Sequence, residues 1–171
     1  MEHLMTAASS YPALGPVKAR RVIGWAGLIA GSVDIIVQAV LFGLKGKSPV
    51  YLLQVIAGGL LGMSSFQGGA ATAVLGAFFH FLIAFTAAAV FYAASRKLTF
   101  LVRQSALAGV LYGVIVYSFM NFVVLPMSAY HVKVALPSTA VLTRDIALHV
   151  LLIGLPISLV VRKYSTKLKQ S

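Results

Sequence analysis

The sequence has no cysteine and only three acidic residues, Glu2, Asp34 and Asp145. Without cysteine there can be no disulfide and no thiolate-held metal, and the redox compartment cannot be read. Charge of either sign is scarce: 10% of the 171 residues are charged while 60% are hydrophobic, against about 25% charged in a soluble domain. With a mean hydropathy of +0.94, the chain cannot cover itself with polar surface, so the composition is that of a membrane protein. Its length allows one compact bundle rather than several domains. Catalytic signatures are missing too. There is no Ser–His–Asp order, HExxH spacing, phosphate loop or dinucleotide fingerprint. The Gly-rich "QGGAATAVLG" (67–76) reads as a tight connection into a small-residue helix.

What the chain does have is long apolar runs. Four are long enough to cross a bilayer: Val22 to Leu44, Gly68 to Ser95, Gln104 to Pro126 and Thr139 to Val161. A helix of about 20 residues spans the ~30 Å hydrocarbon core. Charges or prolines bound each run: Lys18, Arg20 and Arg21 precede the first, Arg96 and Lys97 follow the second, Pro126 and Pro137 bracket the third connection, and Arg162 and Lys163 close the fourth. The stretch "SPVYLLQVIAGGLLGMSSFQGG" (48–69) is apolar but interrupted by Gly58, Gly59 and Gly62. Counted as a fifth crossing, it would leave only Gly68 and Gly69 as a connection and would even out the basic residues across the membrane. It is therefore expected to be a re-entrant or interfacial arm. The expected fold is all-α: an integral membrane four-helix bundle with a short additional outer-side segment at 48–67. Residues 1–21 are expected to be a short cytoplasmic tail, 22–163 the transmembrane domain, and 164–171 a basic tail. No cleavable signal is evident, so the first crossing would serve as an uncleaved anchor.

Basic residues orient the bundle. Lys18, Arg20, Arg21, Arg96, Lys97, Arg103, Arg162, Lys163, Lys167 and Lys169 fall on one side, leaving Lys45, Lys47, Lys133 and Arg144 for the other. The positive-inside rule then makes both termini cytoplasmic. The net charge of +11 is accounted for by short flanks meeting anionic headgroups of the lipid bilayer. A nucleic-acid partner would need a larger soluble basic surface, and the sequence has none. Gly27 with Gly31, Gly109 with Gly113, and the Gly69–Ala73–Ala77 row offer small faces for close helix approach.

Against this background "RDIALHVLLIG" (144–154) stands out, because it puts Asp145 and His149 one turn apart on one helix face. Asp34 lies mid-way along the first crossing with Gln38 one turn outward, His80 mid-way along the second, and Asn121 towards the outer end of the third. In the expected topology Asp145 matches the depth of Asn121, and His149 that of Asp34 and His80. The inner halves hold only Ser32, Thr86, Tyr92, Tyr112 and Ser158. A charged residue at the bilayer centre costs about 2.5–3.5 kcal/mol on the insertion scale, so two acids there should be paired, hydrated or neutral. The pattern predicts a polar pocket of Asp34, Gln38, His80, Asn121, Asp145 and His149, open outward and closed by apolar packing below. Each residue also has a plainer role. Asp34 and Asn121 can hold helices together by hydrogen bonds, His80 between Phe79 and Phe81 can be a satisfied core histidine, and Asp145 can simply orient His149.

Other ligand sets were weighed on the same residues. His80 and His149 could be axial haem ligands, but no second histidine pair or small-residue slot accompanies them. Asp34, His80, Asp145 and His149 are ligand types for Zn²⁺ or Mn²⁺ without metal-site spacing. Met63, Met120, Met127 and His131 are soft enough for Cu(I), although methionine also fills gaps in apolar cores. No cofactor is expected, and the metal question stays open.

Three segments, "GAFFHFLIAFTAAAVFY", "LAGVLYGVIVYSFMNFVVLPMSA" and "RDIALHVLLIGLPISLVVRK", occur in that order within 68–163. In them His80, Leu125–Pro126, Asp145 and His149 carry a resemblance to the YagU-like family of bacterial inner-membrane proteins. The resemblance implies a small multi-pass bundle in the bacterial inner (cytoplasmic) membrane and no established activity. From the residues, the expected function is binding or transport of a proton, cation or small polar molecule, with a homodimer needed for alternating access. The alternative is a non-catalytic accessory or assembly subunit of a larger membrane complex. An enzyme is not expected, because no positioned nucleophile is found.

Overall fold

In a computed structural model, residues 16–130 and 137–166 are described, and all the regular structure among them is helical. Helix α1 spans Pro16–Gly43, α2 Pro49–Leu61 and α3 Gly69–Lys97, with a 3₁₀ segment, Gly62–Gln67, between the last two. A short α4, Phe100–Arg103, leads into α5, Ser105–Phe119, which continues through a π turn, Met120–Val124, into α6, Leu125–Met127. The last rod is α7, Thr139–His149, a second π turn, Val150–Gly154, and α8, Leu155–Thr166. Helix is thus already present across 16–21, where a tail was expected, and continues past 163. His131 and Lys133 lie outside the described residues.

Five helices are long and apolar enough to cross a membrane by length and composition: Ala19–Gly43, Pro49–Gln67, Gly69–Lys97, Ser105–Met127 and Thr139–Ser165. The chain is a multi-pass membrane protein. Pro49–Gln67 meets the criterion, but it is not one straight rod. Its α-helical part is 13 residues, about 20 Å of rise. Gly62 then adopts φ +62°, a left-handed value that suits glycine. The chain folds back there, so that Phe66 stacks on Tyr51 with ring centres 5.1 Å apart. Gln54 Nε2 donates to the Gly69 carbonyl at 3.1 Å, and Thr72 Oγ1 donates to the Ser65 carbonyl at 2.6 Å.

Helices α1 and α3 run antiparallel. Gly31 packs on Phe81 and Ala84, and Gly27 on Phe85. Carrying that register outward brings Gly43 and Gly69 to the same end of the pair. Segment 44–68 therefore leaves and rejoins the bundle at one end. It is tied to the far side of that end by Ala129 N–H donating to the Gly59 carbonyl and by Tyr130 OH donating to the Val55 carbonyl at 3.0 Å. Desolvation raises the pKa of the Tyr130 phenol above its ordinary value, which keeps it a donor.

The second pairing, α5 with α7–α8, is closer still. A Cβ on Gly154 would collide with the Gly109 carbonyl and Gly113 N, and one on Gly113 with the Val150 backbone. Between transmembrane helices, where lipid tails remove the hydrophobic driving force, such approach supplies the packing that holds them. The Gly27/Gly31 and Gly109/Gly113 faces are used in this way. The Gly69–Ala73–Ala77 row is not: Gly69 faces open space, and it is Ala73 that is buried and Gly76 that meets the Leu53 backbone.

The buried apolar core lies at one end of the bundle. Val22, Ala26 and Ala30 of α1 meet Ala88, Phe91 and Tyr92 of α3, Ala108 of α5, and Ile153, Ile157 and Val161 of the last rod. Arg20, Arg21, Arg96, Lys97, Arg103, Arg162 and Lys163 belong to the helix ends and the connection beside this core, so we call it the basic end. Replacing Gly113 or Gly154 by leucine should abolish the folded monomer in mild detergent, measured by thermal unfolding. Gly24→Leu should be tolerated, because nothing lies within 4 Å of its added Cβ.

Candidate functional site

Beyond the core, towards the other end, the rods separate around two adjoining cavities. The inner one, about 280 Å³, is lined by Asp34, Gln38 and Phe42 of α1, Leu52 and Ile56 of α2, and His80, Ala84 and Ala87 of α3, with Val116, Met120, His149 and Ile153 closing it. The outer one, about 340 Å³, holds Lys45, Tyr117, Asn121, Arg144 and Asp145. Gln38, Phe42, Met120 and His149 line both and form the wall between them. Asp34, Gln38, His80 and His149 are thus brought together in the inner cavity, and Asn121 and Asp145 sit with Gln38 and His149 in the outer one.

Both imidazoles are held by main-chain carbonyls. His80 Nε2 lies 2.8 Å from the Gly31 carbonyl on the neighbouring helix, and His149 Nδ1 lies 2.8 Å from the Asp145 carbonyl one turn back. A carbonyl only accepts, so each of these nitrogens carries the proton. The other nitrogen, Nδ1 of His80 and Nε2 of His149, has no hydrogen-bond partner among the described residues and is an acceptor in the neutral ring. His80 also meets Phe81 edge-on at 5.3 Å, and His149 meets Tyr117 edge-on at 5.4 Å. The Asp34 carboxylate is within electrostatic reach of both rings and lies beside the Gln38 amide. One acid therefore faces two bases in a cavity lined by α1, α2, α3, the α5 rod and the last rod.

Asp145 differs from the expected arrangement. Its carboxylate does not orient His149; it pairs with Arg144 Nε at 2.8 Å at a half-exposed site, and only its carbonyl serves the ring. A surface-level acid gains more from the adjacent guanidinium than from an imidazole one turn away. Asn121 is not glue between helices either. Its Nδ2 donates at 2.9 Å to the Tyr117 carbonyl of its own helix, within the region where the π turn disturbs the regular ladder.

The π turns themselves were missed in the sequence. Leu125 N–H reaches back to the Met120 carbonyl, and Leu155 N–H to the Val150 carbonyl, each five residues away. A proline follows each leucine, and the motif Leu-Pro-X-Ser recurs at 125–128 and 155–158. A proline in a helix lacks an N–H and crowds the carbonyl four residues earlier; widening the preceding turn relieves both. Each serine then donates to the leucine carbonyl, at 2.7 Å from Ser128 and 3.0 Å from Ser158. The repeated motif was the signal available. Tyr117, Arg144 and the apolar wall from Leu52 and Ile56 were also missed.

Among the described residues no three His, Asp or Glu side chains come close enough to hold a metal ion, so Asp34, His80, Asp145 and His149 do not assemble as one set. The sulfur set also disperses: Met63 and Met127 are largely exposed, Met120 lines the cavities, and His131 lies outside the described residues. No protein-family model, curated protein or solved structure matches the chain.

The outer cavity should admit water. With no native cysteine to interfere, Asn121→Cys and Asp145→Cys should react with a charged thiol reagent in detergent, whereas Ala26→Cys and Ala108→Cys in the core should not.

Proposed function

We propose that this chain is a small inner-membrane protein whose outward-open polar cavity binds or transports a proton, cation or small polar molecule, with Asp34, His80 and His149 as the exchanging groups. The observation that carries the reading is the position of His149, which lines both the outer cavity and the inner cavity of Asp34 while only its Nδ1 is hydrogen-bonded among the described residues. Gln38 shares that wall and can position a ligand by hydrogen bonds. Asn121, Asp145, Arg144 and Lys45 form the entrance.

Four crossings, with 49–67 as a re-entrant arm on the outer side, suit this reading. The return of 44–68 to the end it left and the fold-back at Gly62 support that topology. The concentration of basic residues at the closed end supports cytoplasmic termini and agrees with the resemblance to the YagU-like family, which we retain as a proposal. Because the basic end is filled by the core, one copy offers binding and exchange from one side, and transport across the membrane would take a dimer.

Two experiments test this. In intact cells, Ala8→Cys and Leu168→Cys should resist a membrane-impermeant thiol reagent, and labelling of either would overturn the orientation. In proteoliposomes given a pH step between about 5 and 8, proton uptake should fall by about tenfold or more in Asp34→Asn and in His149→Gln. Uptake unchanged in both would remove the proton reading. A stoichiometric larger partner retained on purification in mild detergent would favour the accessory role instead.

A further inference from the structure

A third cavity adjoins the inner one from the side. It is a groove of about 430 Å³ between α3 and the α5 rod, lined by Leu82, Thr86, Val90, Tyr112, Ile115 and Phe119 among others. Its two hydroxyls are already committed: Thr86 Oγ1 donates to the Leu82 carbonyl and Tyr112 OH to the Ala87 carbonyl, both at 2.7 Å. The walls therefore offer an occupant hydrocarbon contact and no free donor. Leu82, Val90, Ile115 and Phe119 are exposed on the outer surface of this seam, which within a bilayer means exposed to acyl chains. Towards the basic end the seam is closed where the Phe91 and Tyr112 rings meet edge-on at 5.0 Å. Beyond that contact it stays open.

Ile83, Ala87, Val116 and Met120 line both the groove and the inner cavity, so one layer of side chains stands between the lipid-facing groove and the space of Asp34, Gln38, His80 and His149. We propose that a passage through this layer is a lateral entrance for a membrane-dissolved amphiphile, its hydrocarbon tail in the groove and an uncharged hydrogen-bonding head, such as a hydroxyl, in the inner cavity. The proposal rests on the reading of the inner cavity as a binding site and names the substrate class. Polarity at the two ends of the passage decides that class. A wholly apolar molecule would leave the free ring nitrogens without partners, and a water-borne solute has no use for the groove. An ionised headgroup would be retained at the interface, since carrying charge to the depth of Asp34 is strongly unfavourable. A hydroxyl can both donate to a free imidazole nitrogen or carboxylate and accept from the Gln38 amide.

The test uses the full chain in phosphatidylcholine nanodiscs with a photoreactive, alkyne-tagged hexadecanol, the sites of labelling being mapped by mass spectrometry. Labelling should concentrate on 82–90 and 115–124, saturate with probe, and be displaced by unlabelled hexadecanol but not by hexadecane. Ala87→Phe, which narrows the passage, should reduce saturable labelling by about tenfold, the equivalent of one good contact. Val74→Phe, on an exposed face outside the groove, should leave labelling unchanged. Ile115→Trp, at the lipid-facing rim where it cannot disturb the core, provides a second blocking variant should Ala87→Phe fail to fold. Labelling that rises linearly with probe and is not displaced would mean ordinary lipid contact and would overturn the proposal. The proton-uptake measurement separates the two readings. Uptake without saturable labelling leaves the cavity reading standing and removes the lateral entrance. Saturable labelling that survives blockage of the passage removes it equally.

Discussion

The 2.8 Å contact between His80 Nε2 and the Gly31 carbonyl fixes more than one ring. It crosses from α3 to α1 at the level where Gly31 lets Phe81 and Ala84 come close, so it sets the register of the two longest helices. That register brings Gly43 and Gly69 to one end and obliges the segment between them to double back there. It also commits one nitrogen of the ring, so that the other is available at the cavity. Most of the remaining polar side chains follow the same rule, because inside a bilayer an unpaired polar atom costs several kcal/mol; among the described residues the buried Ser65 Oγ is an exception. Thr86, Ser118, Asn121 and Ser158 bond carbonyls of their own rods, and Tyr112 bonds across to Ala87. Once those atoms are satisfied, the polar groups left facing the inner space are those of Asp34, Gln38, His80 and His149.

Which residues would lie at one level along the rods follows from the sequence; their partners do not. Once helices of known rise are placed against charged flanks, the level of Asn121 and Asp145, or of Asp34, His80 and His149, follows from counting. The cavities group the same residues. Counting says nothing about which carbonyl a ring will find, and so Asp145 was given the wrong partner. Its guanidinium neighbour at 144 was in plain view, but adjacent helical residues project in different directions and are ordinarily discounted as a pair. Here the exposed position lets Arg144 curl back. The break in the run at 48–67 was legible for a different reason: it holds Gly58, Gly59 and Gly62, and Gly62 takes the positive φ that turns the chain, although Pro49–Gln67 is still one of the five segments long and apolar enough to cross. Gly58 has another use. A Cβ there would collide with the Tyr130 hydroxyl, and no local pattern announces a contact 72 residues along the chain.

The two ends of the bundle are built on opposite principles. At the basic end small residues and a few large ones interlock: Ala26, Ala30 and Ala88 are fully covered, with Phe91, Ile157 and Val161 filling what remains. Dispersion in such packing is the main cohesive term where lipid is as apolar as the side chains. Towards the other end the rods diverge and α2 lies across the gap, held by Gln54 to Gly69 and by Tyr130 to Val55. Those ties are hydrogen bonds, each worth about 0.6 kcal/mol on average between membrane helices. The cover over the cavities is held by packing as well, since the Leu53 backbone of α2 lies directly against Gly76 of α3.

The two π turns show how this division is enforced along single rods. One follows directly on His149 and the other begins at Met120, so both lie against the wall between the inner and outer cavities. A regular helix continued through either point would rotate every later side chain relative to the earlier ones. The inserted residue lets Gly113 and Gly154 keep the tight seam on one side of the turn while His149, on the other side, faces the cavity. Proline imposes the widening, and the serine three residues after each leucine satisfies that leucine's carbonyl. The wall that carries His149 is thus set by the chain itself.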